Sequence, residues 1–183
     1  MGQDIMEIPS LFIHNYKLEV VHEFVYLGST ITDSLPIDSE LSKRIEKAAM
    51  TLSRLTKRVW SNKLSDHTKV NVYKACVIST LLYGSESWTM YAHQEKKLNV
   101  FHMHCLRRIL GITWQDKVTN KVVLEKAGIP SLYTLLKQRR MQWLGHVTRM
   151  KDGCIPKDLL YGELATGKRP TRRPQLRLKD VCK

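Results

Sequence analysis

DSELSKRIEKAAMTLSRLTKRV, from Asp38 to Val59, decides the fold of this chain. Apolar residues recur in it at intervals of three and four, which predicts one amphipathic helix with Asp38 as its N-cap. They are Leu41, Ile45, Ala48, Leu52, Leu55 and Val59. The opposite arc is cationic and holds Lys43, Lys47, Arg54, Lys57 and Arg58. Its members span about 22 Å of helix, with Glu46 as the nearest balancing acid. This face is either a solvated surface or a site for consecutive phosphates.

A second long helix is predicted over Ser131–Met150, SLYTLLKQRRMQWLGHVTRM, with Ser131 as its N-cap. Arg139 falls inside the apolar arc of this helix, and Arg140 falls at the edge of the arc or beyond it. A buried arginine needs a carboxylate, a set of carbonyls or a phosphate as its partner. The alternative is that Arg139 extends its charged end to water.

The formal net charge is +13, and the charge is unevenly distributed over the 183 residues. Residues 1–37 hold one lysine and five acids, a net −4, whereas residues 38–150 hold 20 basic and 8 acidic side chains, a net +12. Residues 151–183 add nine basic and four acidic side chains, a net +5. A polycationic middle segment favours a polyanionic partner, of which nucleic acid is the most common.

The remaining patterns predict a mostly helical chain with a β-hairpin at its N-terminus. Strands are predicted at 11–14 and 17–27, with a turn at Asn15-Tyr16 and Gly28 ending the second strand. Further helices are predicted from Ser65 to Gly84, over 94–110 and over 118–127. Residues 153–183 are predicted to form an extended basic arm, with one helical turn at Lys157–Tyr161, that includes Lys168, Arg169, Arg172 and Arg173. This arm is either a solvated tail or a segment that becomes ordered on a polyanion.

The cysteines are widely spaced and form no CxxC pair, which predicts reduced thiols in an intracellular, cytoplasmic or nuclear protein that is not secreted. No apolar run is long enough to span a membrane, so we expect no membrane partner. His102, His104 and Cys105 lack zinc spacing, and the sequence predicts no metal site. We find no nucleotide-binding loop, no nucleophile motif and no paired aspartates on an apolar strand, so we expect no catalytic residues.

A series of motifs resembles non-LTR (LINE-type) retrotransposon endonuclease/reverse transcriptases, just downstream of their palm. It consists of Phe24–Ser29 (FVYLGS), Arg44–Ala48 (RIEKA), Leu81–Trp88 (LLYGSESW), Leu106–Ile112 (LRRILGI), Trp114–Asp116 (WQD), Arg139–Met150 (RRMQWLGHVTRM) and Gly167–Pro170 (GKRP). Each motif alone is weak, whereas the ordered series is strong. It covers the chain from about residue 11 to its end.

The resemblance implies a division of the chain into four parts. Residues 1–31 resemble the end of the palm, 32–112 a thumb-like helical bundle, 113–152 connector helices and 153–183 the basic Pro/Gly-rich arm. A thumb holds the template–primer duplex by its backbone, which agrees with shape-based recognition of an A-form or hybrid duplex. The hairpin residues in the place of the primer grip are Phe24, Tyr26, Leu27 and Gly28.

The family's catalytic carboxylates, its fingers and its endonuclease lie outside the motifs matched here. The polymerase site of the family uses Mg, and we expect no cofactor in this chain. We therefore expect a nucleic-acid-binding fragment of an RNA-directed DNA polymerase that is inactive alone. We expect it to be a truncated or partial copy of a mobile element, and the missing palm and fingers are a candidate partner. The alternatives are a helical protein-interaction module that docks through Trp88, Tyr91, Trp114 and Trp143, or a non-functional remnant of a mobile element.

Overall fold

The computed structural model describes residues 10–32 and 37–161 of the chain. These residues form two short β-hairpins followed by seven α-helices. The predicted fold class, mostly α with β-structure at the N-terminus, is confirmed. Most of the predicted basic arm, from residue 162 onward, lies outside the described residues.

Two hairpins replace the single predicted one. Strands β1 (Phe12–Ile13) and β2 (Tyr16–Lys17) pair with each other, and β3 (Glu23–Tyr26) pairs antiparallel with β4 (Ser29–Thr32). The predicted strand over 17–27 was wrong, because residues 18–22 separate β2 from β3 and Gly28 lies in the turn of the second hairpin. Leu27 and Gly28 both have positive φ, 47° and 82°, which matches the right-handed twist of a two-residue hairpin turn.

The helices follow the predicted order. They are α1 (Asp38–Arg54), α2 (Asp66–Val72), α3 (Ser79–Leu81), α4 (Ala92–Leu110), α5 (Asn120–Ala127), α6 (Leu132–Thr148) and α7 (Ile155–Tyr161). A π-helical segment, Tyr73–Ile78, joins α2 to α3 in one continuous rod. Short 3₁₀ turns at Ser85–Ser87 and Trp114–Asp116 precede α4 and α5.

The predicted helix over 38–59 changes its pitch near its end. Residues Thr56–Trp60 form a π-helical turn instead of continuing α1. The indole Nε1 of Trp60 donates to the carbonyl oxygen of Leu52 at 2.8 Å. Since this carbonyl is the acceptor that the amide four residues later would use, the side-chain bond competes with the α-helical ladder and loosens it.

Ser65, Ser131 and Gly111 mark helix ends as predicted, whereas Asp38 does not, and the helix predicted to reach Gly84 ends at Leu81. Ser65 and Ser131 each accept a hydrogen bond from the amide three residues on, at 3.2 Å, and Gly111 ends α4 in the left-handed conformation. Asp38 is not the N-cap of α1, since Ile37 takes that position. Its carboxylate instead accepts from the Gln94 amide of α4 at 3.1 Å, which joins the starts of the two helices.

One hydrophobic core runs through α1 to α6, from Leu41 to Leu136. Cys105 is buried in it, while Cys76 is half-buried. The core crosses residue 112, where the predicted thumb-like bundle ends. The division of the chain into a palm end, a thumb, a connector and an arm stays a prediction. In the described part of the chain, no helix is long and apolar enough to cross a membrane.

Candidate nucleic-acid interface

The cationic face of α1 is divided into a paired and an unpaired half. Lys43 forms an exposed ion pair with Glu23 of β3, and the Lys47 ammonium lies 3.5 Å from the Gly28 carbonyl oxygen. An exposed ion pair of this kind contributes little to stability. Glu23 can therefore be replaced by another anion at small cost.

The other half of this face lies at the C-terminal end of α1 and in the π-helical turn. Arg54, Lys57 and Arg58 are exposed there, and we call them the α1 cation cluster. Within residues 10–32 and 37–161, no carboxylate forms an ion pair with any of the three. They therefore present uncompensated positive charge to solvent.

Arg44, which the charge pattern did not single out, is the residue that joins α1 to the β3–β4 hairpin. Its guanidinium is buried and donates to Glu40 at 2.6 Å, to the Gly28 carbonyl oxygen at 2.7 Å and to the Ser29 hydroxyl at 3.1 Å. It also lies 4.7 Å from the centre of the Tyr83 ring, a cation–π contact. The i, i+4 spacing of Glu40 and Arg44 was the signal in the sequence that could have identified this pair.

The predicted primer-grip-like residues form the end of this hairpin. Phe24, Tyr26 and Leu27 are exposed, and Leu27 is 75% accessible to solvent. The Tyr83 hydroxyl donates to the Leu27 carbonyl oxygen at 3.0 Å, so the turn is attached to the helical bundle from a second side. The turn is therefore held in a fixed position, while its apolar side chains face outward.

The two arginines of α6 have protein partners. Arg139 is half-buried, and its Nη1 donates to the Leu82 carbonyl oxygen at 2.9 Å, so one of the expected partner types, a carbonyl, is present. Arg140, predicted at the edge of the apolar arc or beyond it, is instead buried at 3% exposure and pairs with Glu95 at 3.1 Å. Its Nε and Nη2 have no hydrogen-bond partner among the described residues. Arg140 is therefore not available to a phosphate at the surface.

Four of the predicted nucleic-acid-binding residues lie outside the described residues. They are Lys168, Arg169, Arg172 and Arg173. Their part in binding stays a prediction.

Two titratable side chains of α4, His102 and Cys105, are buried in the core. His102 is buried against the Tyr73 hydroxyl at 2.9 Å, and burial lowers the pKa of this histidine to about 4. Burial also raises the pKa of the Cys105 thiol to about 11, so the thiolate that a nucleophile needs is scarce at neutral pH. The described residues contain no cluster of three or more potential metal ligands, and His104 is exposed while His102 is buried.

The alternative hypothesis, a protein-interaction module, depends on four aromatic residues, and these are not equally exposed. Trp88 is buried at 6% exposure, Trp143 is half-buried and Tyr91 is 36% exposed. Trp114 differs from all of them, with 85% of its surface accessible.

Comparison with known proteins places these features in a mobile-element context. The chain is 28% identical over 141 residues to an uncharacterized transposon-derived protein of Caenorhabditis elegans, covering 75% of this chain and 50% of that protein. It is 30% identical over 115 residues to the RNA-directed DNA polymerase from mobile element jockey of Drosophila funebris, covering 60% of this chain and 12% of that protein.

The chain thus spans half the length of the first relative and about an eighth of the second. No family model matches the chain, and no solved structure does. The two relatives support an origin of this chain in a mobile element.

Proposed function

We propose that this chain is the part of a non-LTR retrotransposon reverse transcriptase that holds the template–primer duplex. It would correspond to the end of the palm, the thumb and the connector, and it would bind the phosphate backbone without catalytic carboxylates of its own. Relatedness to the jockey polymerase and to a transposon-derived protein supports the mobile-element part of this proposal. The binding part rests on the α1 cation cluster.

The α1 cation cluster supports backbone binding because its charges have no acidic partner among the described residues. A charge already paired in the protein must lose that pair before it contacts phosphate, whereas an unpaired one needs only to release the duplex's counterions. Lys47 extends the exposed face toward the hairpin, about 16 Å from Arg58 along the helix. Backbone contacts of this kind position a duplex without reading its sequence.

The hairpin supports a second component of the proposal, a protein partner that supplies the polymerase centre. Apolar side chains of β1 to β4 that a packed sheet would bury are exposed, among them Phe12, Tyr16 and Val25. Isolated two-stranded hairpins are marginally stable in water. A neighbouring palm and fingers portion, in the same polypeptide or in another, would cover these side chains.

A salt titration tests the binding proposal. Affinity for an RNA–DNA hybrid should fall steeply with salt, be independent of sequence and exceed the affinity for single strands. The triple variant Arg54→Ala/Lys57→Ala/Arg58→Ala should bind more weakly and lower the slope of log K against log salt by about 2 to 3, at roughly 0.9 per lost phosphate contact.

A matched control carries the same loss of charge at another part of the surface. Lys96, Lys137 and Lys151 are exposed and lie on α4, on α6 and after α6, and their replacement by alanine also lowers the net charge of +13 by three. The control triple should keep most of the parent slope. Equal slopes for both triple variants would mean that binding follows net charge alone, and the proposed interface on α1 would be wrong.

A further inference from the structure

Trp114 lies in the turn between α4 and α5 and is the most exposed of the large apolar side chains in residues 10–32 and 37–161. An indole is a large apolar group whose exposure to water is unfavourable. A flat aromatic face of this size at the surface is therefore a candidate contact for a ligand with a complementary flat face.

The turn that carries Trp114 is held rigidly. We call residues Thr113–Lys117 the Trp114 turn. The carboxylate of Asp116 accepts from the backbone amide of Thr113 at 2.6 Å and from its hydroxyl at 2.8 Å. Arg107 of α4 donates to the Val118 carbonyl oxygen at 2.7 Å, directly after the turn. The indole thus projects from a fixed backbone between two helices, so little backbone freedom is lost when a ligand binds.

The surroundings of the Trp114 turn are cationic. Residues 104–127 hold five lysines and arginines against two acids, Asp116 and Glu125, which gives a net +3. Asp116 is hydrogen-bonded to Thr113, and the charge of Lys126 also acts on its carboxylate. Arg108, Lys117 and Lys126 are exposed, and none of them forms an ion pair within 4 Å in the described part of the chain. An exposed aromatic face with cations beside it complements a nucleotide, which pairs a flat base with a phosphate.

Lys117 provides a second indication. Its backbone lies in the left-handed region, with φ of 48°, where glycine is accommodated without steric cost and a lysine is not. The side chain is exposed, and in the described residues it has no hydrogen-bond or ion-pair partner. A charged residue is thus present at a position whose backbone conformation favours glycine.

The α1 cation cluster lies at the end of α1, and the Trp114 turn follows α4. Asp38 and Ser42 of α1 contact Gln94 and Lys97 of α4, in that order, so the two helices run in the same direction where they meet. Their C-terminal ends lead to the α1 cation cluster and to the Trp114 turn respectively. A nucleic acid bound at the first could therefore extend toward the second.

We propose that Trp114 stacks on an unpaired base of the single-stranded segment that adjoins a bound duplex, while Lys117 and Arg108 contact the phosphates of that segment. The base must be unpaired because neighbouring base pairs cover both faces of a base inside a duplex. This inference rests on the proposed function and adds to it the kind of nucleic acid that the surface accepts.

The experiment compares three probes: a blunt RNA–DNA hybrid, the same hybrid with about ten unpaired nucleotides at one end, and the unpaired strand alone. The parent should bind the extended hybrid more tightly than the blunt one, and Trp114→Ala should lose about ten-fold in affinity for the extended hybrid. Its affinity for the blunt hybrid should stay at the parent value. Trp114→Phe, which keeps an aromatic face, should recover much of the loss.

Tyr16→Ala is the matched control, because Tyr16 is also a highly exposed aromatic residue but lies in the β1–β2 hairpin. It should bind all three probes as the parent does. Lys117→Gly should raise the melting temperature by relieving the left-handed lysine and yet weaken binding of the extended hybrid. A general folding defect cannot produce that combination.

The possible outcomes separate this inference from the proposed function. Salt-insensitive binding of the blunt hybrid by the parent would contradict the proposed function. Equal affinities of the parent and Trp114→Ala for the extended hybrid and for the unpaired strand would overturn the stacking inference alone. If the parent binds none of the three probes, both are overturned, and a docking site for an apolar protein segment would be the remaining explanation of the exposed indole.

Discussion

Arg44 of α1 donates from Nη2 to the carbonyl oxygen of Gly28, at 2.7 Å, across the junction between the helical bundle and the β3–β4 hairpin. The same guanidinium pairs with Glu40, whose second carboxylate oxygen accepts from the Thr30 amide at 2.7 Å. Both side chains are buried, at 5% and 6% exposure. The hairpin is therefore joined to α1 by one buried ion pair that bonds to two different parts of its backbone.

Removing one member of this pair should be strongly destabilising. Arg44→Met leaves the Glu40 carboxylate buried and without its counter-charge, and we expect a loss of about 3–5 kcal/mol in the free energy of unfolding. The double variant Arg44→Met/Glu40→Gln removes the unpaired charge and keeps an acceptor for Thr30, so it should be more stable than Arg44→Met. Urea denaturation measures the free energy of unfolding of the single and the double variant, and the exposed substitution Lys47→Met is the control. If the double variant is no better than the single one, the buried charge is not the cause of the loss.

The hairpin turn should accept a stabilising substitution at Leu27. A leucine with φ of 47° is strained, and its side chain is mostly in solvent. Leu27→Asn creates an Asn-Gly turn, the pair that best tolerates positive φ at both positions, and should stabilise the chain by about 0.5–1 kcal/mol. Leu27→Ala keeps the strain and serves as the control. A thermal melt checks the ranking, which is contradicted if the asparagine variant melts no higher than the alanine variant.

The pairing of Arg140 with Glu95 should be asymmetric. Arg140 is buried with two of its nitrogens unpartnered in the described residues, while Glu95 reaches solvent in part. Glu95→Ala strands a buried guanidinium and should cost about 3 kcal/mol. Arg140→Met fills similar volume without a charge and should cost less than about 1 kcal/mol. Urea denaturation of the two variants gives the comparison, and a larger cost for Arg140→Met would show that the guanidinium is better satisfied than the geometry indicates.

Stability should depend on pH through His102. Burial lowers the pKa of this histidine from its ordinary 6.5 to about 4, so the unfolded chain binds a proton at a higher pH than the folded chain does. His102 therefore contributes about 3 kcal/mol to the free energy of unfolding above pH 6.5, and this contribution is lost as the pH falls toward 4.

His102→Gln should flatten the dependence of the free energy of unfolding on pH between 6.5 and 4. His104→Gln, on the exposed side of the same helix, should leave it at the parent value. The prediction fails if both variants lose stability with acid as steeply as the parent.

The elements that local chemistry determines were predictable from the sequence. Ser65 and Ser131 are N-caps and Gly111 is a left-handed C-cap because each signal acts within one helical turn. The helical periodicity likewise predicted the order of the helices, but not the π-helical segments at Thr56–Trp60 and Tyr73–Ile78. These signals need no knowledge of what each helix packs against.

The orientation of α6 could not be predicted in the same way. Its buried residues are Leu132, Leu136, Arg140 and Val147, a stripe rotated by about 40° from the centre of the apolar arc, taking 100° per residue. The rotation buries Arg140, which an apolar pattern places outside. It becomes favourable only because Glu95 on α4 lies opposite Arg140, and that contact joins residues 45 positions apart.

The sequence predicted the cationic face of α1, but not which of its charged residues have partners in the folded chain. The exposed cations at the end of α1 follow from the helical pattern, and their role in binding stays a prediction. The central place of Arg44 did not follow, because its partners Gly28, Ser29 and Tyr83 come together only in the folded chain.

The contact between Thr30 and Glu40 also protects one edge of the β3–β4 hairpin. The Thr30 amide points away from β3 and is capped by a side chain, so the outer edge of β4 offers no free template at that point. Another strand that added to β4 would first have to displace the Glu40 carboxylate from the Thr30 amide, so this bond disfavours edge-to-edge pairing at β4.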